Sequence, residues 1–162
     1  MRGHWFDAHD KQLVARHLLF LWLILLLSAC AGLPLQTAPT GDAVRIENPA
    51  ARPAPAGQNG AAYFTIINPT SADDRLLSVT SGVAAVAELH ETRNDNGVMR
   101  MRHHADGVSI PARSRVVFAP GGNHVMLMDL RQELVAGQSF TLTLSFANAG
   151  TMQVTVAVMN QR

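Results

Sequence analysis

The 162-residue sequence is poor in cysteine, in charge and in aromatic side chains. A single cysteine excludes an intramolecular disulfide framework and every cysteine-rich metal site. Charged residues make up 15% of the chain, against about 25% in an average soluble domain. The formal net charge is +1, which provides no general electrostatic basis for binding nucleic acid. After residue 30 no segment of helical length has an apolar period of 3.6, and the chain length favours one domain over two.

The longest apolar run is short and lies near the N-terminus, at residues 18–27. A helix that spans a bilayer needs about 20 such residues. Basic residues precede the run and small residues follow it, which is typical of a secretory signal peptide. The following Leu27-Ser28-Ala29-Cys30 resembles a bacterial lipobox. The resemblance implies cleavage before Cys30 and attachment of lipid to its thiol.

The sequence therefore predicts a signal peptide at residues 1–29, a lipidated Cys30 with a flexible tether to residue 42, and one folded domain at 43–159. Two acyl chains suffice for stable membrane anchoring. In the usual sorting pattern of bacterial lipoproteins, an aspartate directly after the lipidated cysteine favours the inner membrane. This chain has Ala31 at that position, which favours the periplasmic face of the outer membrane. The alternatives are an ordinary signal peptide with an incidental cysteine, or a buried helix.

Counted from Cys30, the mature chain is formally neutral, with 10 Arg and 10 acidic residues and no Lys or Trp. Its four histidines all fall within a window of 35 residues, and four of its six methionines fall in the same window. These residues are His90, His103, His104 and His124, with Met99, Met101, Met126 and Met128.

The mature chain is expected to be all β. Short β-branched and alternating runs such as 140–146 and 151–158 recur with turn residues every 8–12 positions, which predicts eight or nine strands in a sandwich or barrel. Asn94-Asp95-Asn96-Gly97 predicts a hairpin. Residues 44–46 are expected to form an edge strand, because the prolines that surround them are incompatible with a helix or a central strand.

Strand alternation groups some of the histidines and methionines. His124 and Met126 share one side of a predicted strand, and the hairpin brings His90 towards Met99 and Met101 on the returning strand. Met128 lies one step further along its strand and is expected to belong to the core.

His103 and His104 are adjacent and point to opposite faces of a strand. At most one of them can therefore join a site with the other histidines. Both are expected to be exposed to solvent.

Imidazole and thioether together form a soft ligand set that suits Cu(I) best among the common metals. Zinc prefers thiolate, imidazole and carboxylate ligands. A blue-copper centre needs a cysteine thiolate, and the only cysteine is the predicted lipid attachment site. A site of His and Met can therefore hold Cu(I) and pass it on.

The spacing of four of these residues resembles a known signature. His90, ten residues, Met101, twenty-two residues and then His124-x-Met126 are similar to the His-x10-Met-x21/22-His-x-Met pattern of periplasmic copper chaperones of the PCuAC type. Neighbouring segments such as 88–92 and 97–101 are similar as well, and the similarity covers residues 43–158. Leu89 departs from the methionine of many members, but that methionine is not an essential ligand in the pattern.

The resemblance implies a cupredoxin-like Greek-key β-sandwich and a non-enzymatic role. It makes His90, Met101, His124 and Met126 the ligands of one Cu(I), with Cu(II) as a second candidate ion. It implies a partner that receives the copper, either the Cu(A) subunit of cytochrome c oxidase or another copper-transfer protein. Two other functions remain open: a metal-free structural or adhesive lipoprotein, and a zinc-dependent hydrolase that uses Glu88 or Glu91 beside His90.

Overall fold

A computed structural model of the chain describes residues 43–160. The predicted signal peptide at 1–29, Cys30 and the tether lie outside the described residues and stay predictions. In the described part, no helix is long and apolar enough to cross a membrane.

The regular structure of residues 43–160 consists of ten β-strands. They are β1 (Arg45–Ala51), β2 (Gly60–Asn68), β3 (Asp74–Ser81), β4 (Ala84–Asp95), β5 (Val98–His103), β6 (Val108–Ile110), β7 (Ser114–Phe118), β8 (Asn123–Leu130), β9 (Ser139–Phe146) and β10 (Thr151–Val158). The all-β class is confirmed, with a slightly larger number of strands than the turn spacing predicts.

Hydrogen bonds join the strands in the order β5-β4-β8-β7-β2-β1-β10-β9-β3-β6. The two halves of this sheet meet at β1, which pairs antiparallel with β2 and parallel with β10. Phe64 and Leu127 from one half and Leu142 and Val156 from the other belong to the same buried cluster. The sheet therefore folds back on itself around one core, as a sandwich does.

The whole buried cluster lies between residues 44 and 158. A chain that starts at residue 31 consequently retains every residue of this cluster, and we expect it to fold.

The prediction of an edge strand at 44–46 is wrong. β1 extends to Ala51 and is flanked by β2 and β10. The pairing register between β1 and β2 shifts around Pro49, and Asn48 has a positive φ of 53°. A bulge of this kind leaves one residue unpaired, so a proline without an N–H group fits there inside a sheet.

The predicted hairpin at Asn94–Gly97 is confirmed. Asn96 and Gly97 have φ values of 52° and 88°, and two positive φ values in succession are the signature of a type I′ turn. The turn sets the register of β4 against β5, in which His90 lies opposite His103 and Thr92 opposite Met101. β4 in turn pairs with β8, which leaves β5 at the edge of the sheet.

The fold makes a direct prediction about stability. Leu142 is fully buried in the core, and we expect Leu142→Ala to lower the free energy of unfolding by about 2–5 kcal/mol, because it removes buried methyl groups and leaves a cavity. Urea denaturation of residues 31–162 measures the change. Leu77→Ala is the control: Leu77 is half exposed, so its truncation should cost about 0.5 kcal/mol or less. Equal losses in both variants would contradict this assignment of the core.

Candidate metal centre

Three histidines meet across neighbouring strands. In the registers of the sheet, His90 of β4 lies directly opposite His124 of β8 on one side and His103 of β5 on the other. Residues that face each other across antiparallel strands project their side chains to the same face. The ring centroids of His90 and His124 are 5.9 Å apart, and those of His90 and His103 are 5.5 Å apart. The imidazoles form a row across β8, β4 and β5.

Two methionines lie on the same face as the histidines. Met126 of β8 is opposite Glu88, two residues from His90, and Met101 of β5 is opposite Thr92, two residues from His90 on the other side. Because side chains two residues apart on a strand share a face, all four ligands predicted from the sequence lie on one face of three adjacent strands.

This face points away from the core. The intervening residues Leu89 and Val125 are almost completely buried and belong to the core cluster. His124 is nevertheless only 6% exposed, and the His90 side chain is 13% exposed. Met101 remains 53% exposed. The imidazoles are thus shielded from solvent, whereas one of the thioethers is open to it.

A cavity of about 400 Å³ adjoins the cluster. Met101, His124 and Met126 line it, together with residues 52–54 and 59–61 and with Pro120 and Gly121 of the loop before β8. Three of the four predicted ligands therefore border an open space that a further ligand can enter.

The loop before β8 orients the imidazole of His124. Its Nδ1 is 3.0 Å from the carbonyl oxygen of Gly122, to which it donates a hydrogen bond. The same oxygen accepts the backbone N–H of Thr92 at 3.0 Å. Gly121 has a φ of +80°, which a glycine adopts without strain and which lets the chain turn sharply before the strand. A proton on Nδ1 leaves the lone pair of Nε2 available to a metal.

His90 is held by a carboxylate. Its Nε2 lies 2.9 Å from Oε2 of Glu88, and its Nδ1 is buried with no hydrogen-bond partner in the described part of the chain. Buried polar atoms without a partner are rare in folded proteins. When Nε2–H donates to Glu88, Nδ1 carries the free lone pair, which is the carboxylate–histidine–metal arrangement common at metal sites.

The nearby donors are imidazole nitrogens and thioether sulfurs, with few carboxylates free to join them. Among residues 43–160 no group of three or more His, Asp or Glu side chains is arranged to hold a metal ion. Glu88 is engaged by His90, and Glu91 pairs with Arg93 at 2.9 Å. The donor set of two imidazoles and two thioethers fits a soft monovalent ion such as Cu(I).

Two predictions about single residues are wrong. Met128 is half-buried and outside the core, because it shares the outer face with Met126 and lies opposite the exposed Val86. Position along a strand does not change the face to which a side chain points. His104 is also half-buried, since its Nε2 is 3.0 Å from Oδ1 of Asn123.

His103 is exposed as predicted, but the sequence analysis did not place it beside His90. The signal that could have revealed it is the Asn-Gly turn, because a two-residue hairpin fixes which residues of β4 and β5 face each other.

Comparison with known proteins identifies relatives over most of the chain. The model of the family described as "Putative lipoprotein LpqE-like" matches residues 44–158. The chain is 36% identical to "Putative lipoprotein Lxx21020" of Leifsonia xyli over 84% of both chains.

Solved structures of the same fold are PCuAC domains. The copper-bound PCuAC domain from PmoF2 is 28% identical, with a TM-score of 0.60 over 76% of this chain and 97% of that one. The solution structure of CuI-DR1885 from Deinococcus radiodurans is 25% identical, with a TM-score of 0.54 over 74% of this chain and 81% of that one. The resemblance to PCuAC domains and the cupredoxin-like fold are thereby confirmed.

The hydrogen bonds of the two histidines predict their tautomers in the metal-free protein. At a pH where the imidazoles are neutral, we expect His124 to carry its proton on Nδ1 and His90 on Nε2, because the Gly122 carbonyl and the Glu88 carboxylate accept those protons. Long-range ¹H–¹⁵N correlation spectra distinguish the two forms. Glu88→Leu should change the tautomer populations of His90 and leave those of His124 as they are. An Nδ1-protonated His90 in the unmodified protein would contradict the prediction.

Proposed function

Because the chain belongs to the LpqE-like family, we propose that it is a membrane-anchored copper chaperone outside the cytoplasm. It binds one Cu(I) through His90, Met101, His124 and Met126 and delivers the ion to a partner protein. The similarity to the copper-bound PCuAC domain and to CuI-DR1885 supports copper as the ion and Cu(I) as its oxidation state.

The observation that carries this proposal is the orientation of the imidazoles of His90 and His124. Glu88 and the Gly122 carbonyl each occupy one nitrogen of a ring, so His90 Nδ1 and His124 Nε2 are left to bind a metal. Met101 and Met126 lie on the same face as these rings. The ligands are therefore arranged before the ion arrives, which limits the ordering cost of binding.

The same arrangement suits transport better than catalysis. A hydrolase needs a metal-bound water and a free general base, whereas both acids near His90 are engaged in pairs. Neutral thioethers bind Cu(I) without having to lose a proton, and the exposure of Met101 leaves the bound ion accessible to an incoming ligand. We therefore propose ligand exchange without change of oxidation state, and no enzymatic activity. Cu(II) remains a second candidate ion.

The protein that receives the copper is a second element of the proposal. We propose the Cu(A) centre of a haem–copper cytochrome c oxidase as the acceptor, and another copper-transfer protein as the alternative. Support comes from the ligand spacing, which resembles that of the chaperones that serve this centre.

Anchoring through Cys30 places the carrier on the periplasmic face of a membrane. The lipobox-like segment supports this, as does the lipoprotein name of the Leifsonia relative. The preference for the outer membrane rests on Ala31 alone.

Anaerobic titration of residues 31–162 with Cu(I), Cu(II) and Zn(II) tests the metal site. We expect one tightly bound Cu(I). Met101→Leu and His124→Ala should each lower the Cu(I) affinity. The loss should exceed the roughly 10–100-fold that follows removal of a residue that only hydrogen-bonds to a metal ligand. Met126→Leu should also weaken binding without unfolding the domain, because Leu and Met have similar volumes.

Met159→Leu is the matched control for that titration, since Met159 is an exposed methionine on none of the three strands that carry the site. Tight Zn(II) binding without preference for Cu(I) would favour the hydrolase. The absence of any binding would favour the metal-free sandwich.

Metabolic labelling tests the anchor. The full chain should incorporate radiolabelled palmitate, whereas Cys30→Ser should not, because the only thiol has been removed. Label retained by Cys30→Ser would contradict lipidation at this residue.

A further inference from the structure

The edge strand β5 carries more soft donors than the four-ligand site uses. Met99, Met101 and His103 alternate along it and share the face of His90, and all three are exposed, the two methionines by 57% and 53%. The opposite face of the strand carries Arg100 and Arg102. Thioether and imidazole groups are thus confined to the side that adjoins the proposed copper site.

His103 continues the row of imidazoles towards solvent. Its ring centroid lies 5.5 Å from that of His90, about as close as His90 is to His124. The three rings therefore lead from the buried His124 through the half-buried His90 to the exposed His103. His103 is thus an exposed imidazole directly beside one of the proposed copper ligands.

We propose that Met101 and His103 form an outer Cu(I)-binding position, with Met99 as the next thioether along β5, through which the ion enters and leaves the four-ligand site. This inference rests on the proposed function and adds a route to it. Met101 belongs to both positions, so the ion keeps one bond while the others change. Bonds from copper to His90, His124 and Met126 break as a bond to His103 forms, and Met99 then supplies the next thioether along the strand. The ion stays Cu(I), and no electron is transferred.

The exposure of the donors favours this route over direct removal of the ion from the inner ligands. His124 is buried, and the His90 side chain is largely covered, so a partner's ligands reach His103 and Met99 first when they approach from the β5 edge. The competing route passes through the cavity that Met101, His124 and Met126 line.

Stopped-flow transfer distinguishes the two routes. Residues 31–162 loaded with one Cu(I) are mixed anaerobically with the chelator bathocuproine disulfonate, and the rate is compared with the equilibrium affinity. We expect His103→Ala and Met99→Leu to slow transfer about tenfold, while the affinity falls far less than in Met101→Leu. His103→Met restores a soft donor and should recover much of the rate. Met159→Leu is the matched control and should leave the rate as it was.

A variant without the inner site tests Cu(I) binding at the outer position at equilibrium. His124→Ala disables the inner site, and the weak Cu(I) binding that remains should shift the NMR signals of the Met101 methyl group and the His103 ring. Adding His103→Ala should weaken this residual binding, as followed by the Met101 methyl signal.

Unchanged transfer rates in His103→Ala and Met99→Leu would overturn the inference and assign the exit to the cavity. Residual binding that is indifferent to His103 would overturn it as well. Both results are distinct from failure of the proposed function, in which the unmodified protein binds no Cu(I).

Discussion

The arrangement of β4 between β5 and β8 is the constraint on which the site depends. Antiparallel pairing on both sides places His90 opposite one histidine from each neighbour. A shift of one residue in either register would move His103 or His124 to the other face of the sheet. The Asn-Gly turn fixes the first register and the buried Leu89 and Val125 help to fix the second, so core packing and turn geometry together determine which side chains share the face of His90.

The donors lie on the outer face of a sheet whose inner face supplies the core. This separation allows the site to open towards a partner without exposing the residues that stabilise the fold. Hydrogen bonds from His90 to Glu88 and from His124 to the Gly122 carbonyl compensate for the partial loss of water around the two rings. They also leave one nitrogen of each ring free, so the bonds that hold the imidazoles also select the nitrogens that we propose as copper ligands.

Much of this could be predicted from the sequence where the relevant interactions are local. The period-two alternation of β9 and β10 and the Asn96–Gly97 turn depend on neighbouring residues, and the structure confirms both. The prediction for β1 is wrong because it treats Pro49 as incompatible with a central strand. A bulge accommodates this proline inside the sheet, and the bulge depends on pairing with the partner strand. The prediction for Met128 is wrong for a local reason: alternation puts Met128 on the same outer face as Met126, however far along β8 it lies.

The sequence by itself determined which donors are available. It has one cysteine, which lies in the lipobox-like segment, and it gathers the histidines and most methionines of the mature chain into one window, which favours soft thioether–imidazole chemistry. Only the tertiary structure decided which nitrogen of each ring is free and that His103 adjoins His90. The pairing of β4 with β8 joins segments more than thirty residues apart, and hydrogen bonds such as His104 to Asn123 form only when distant strands have met.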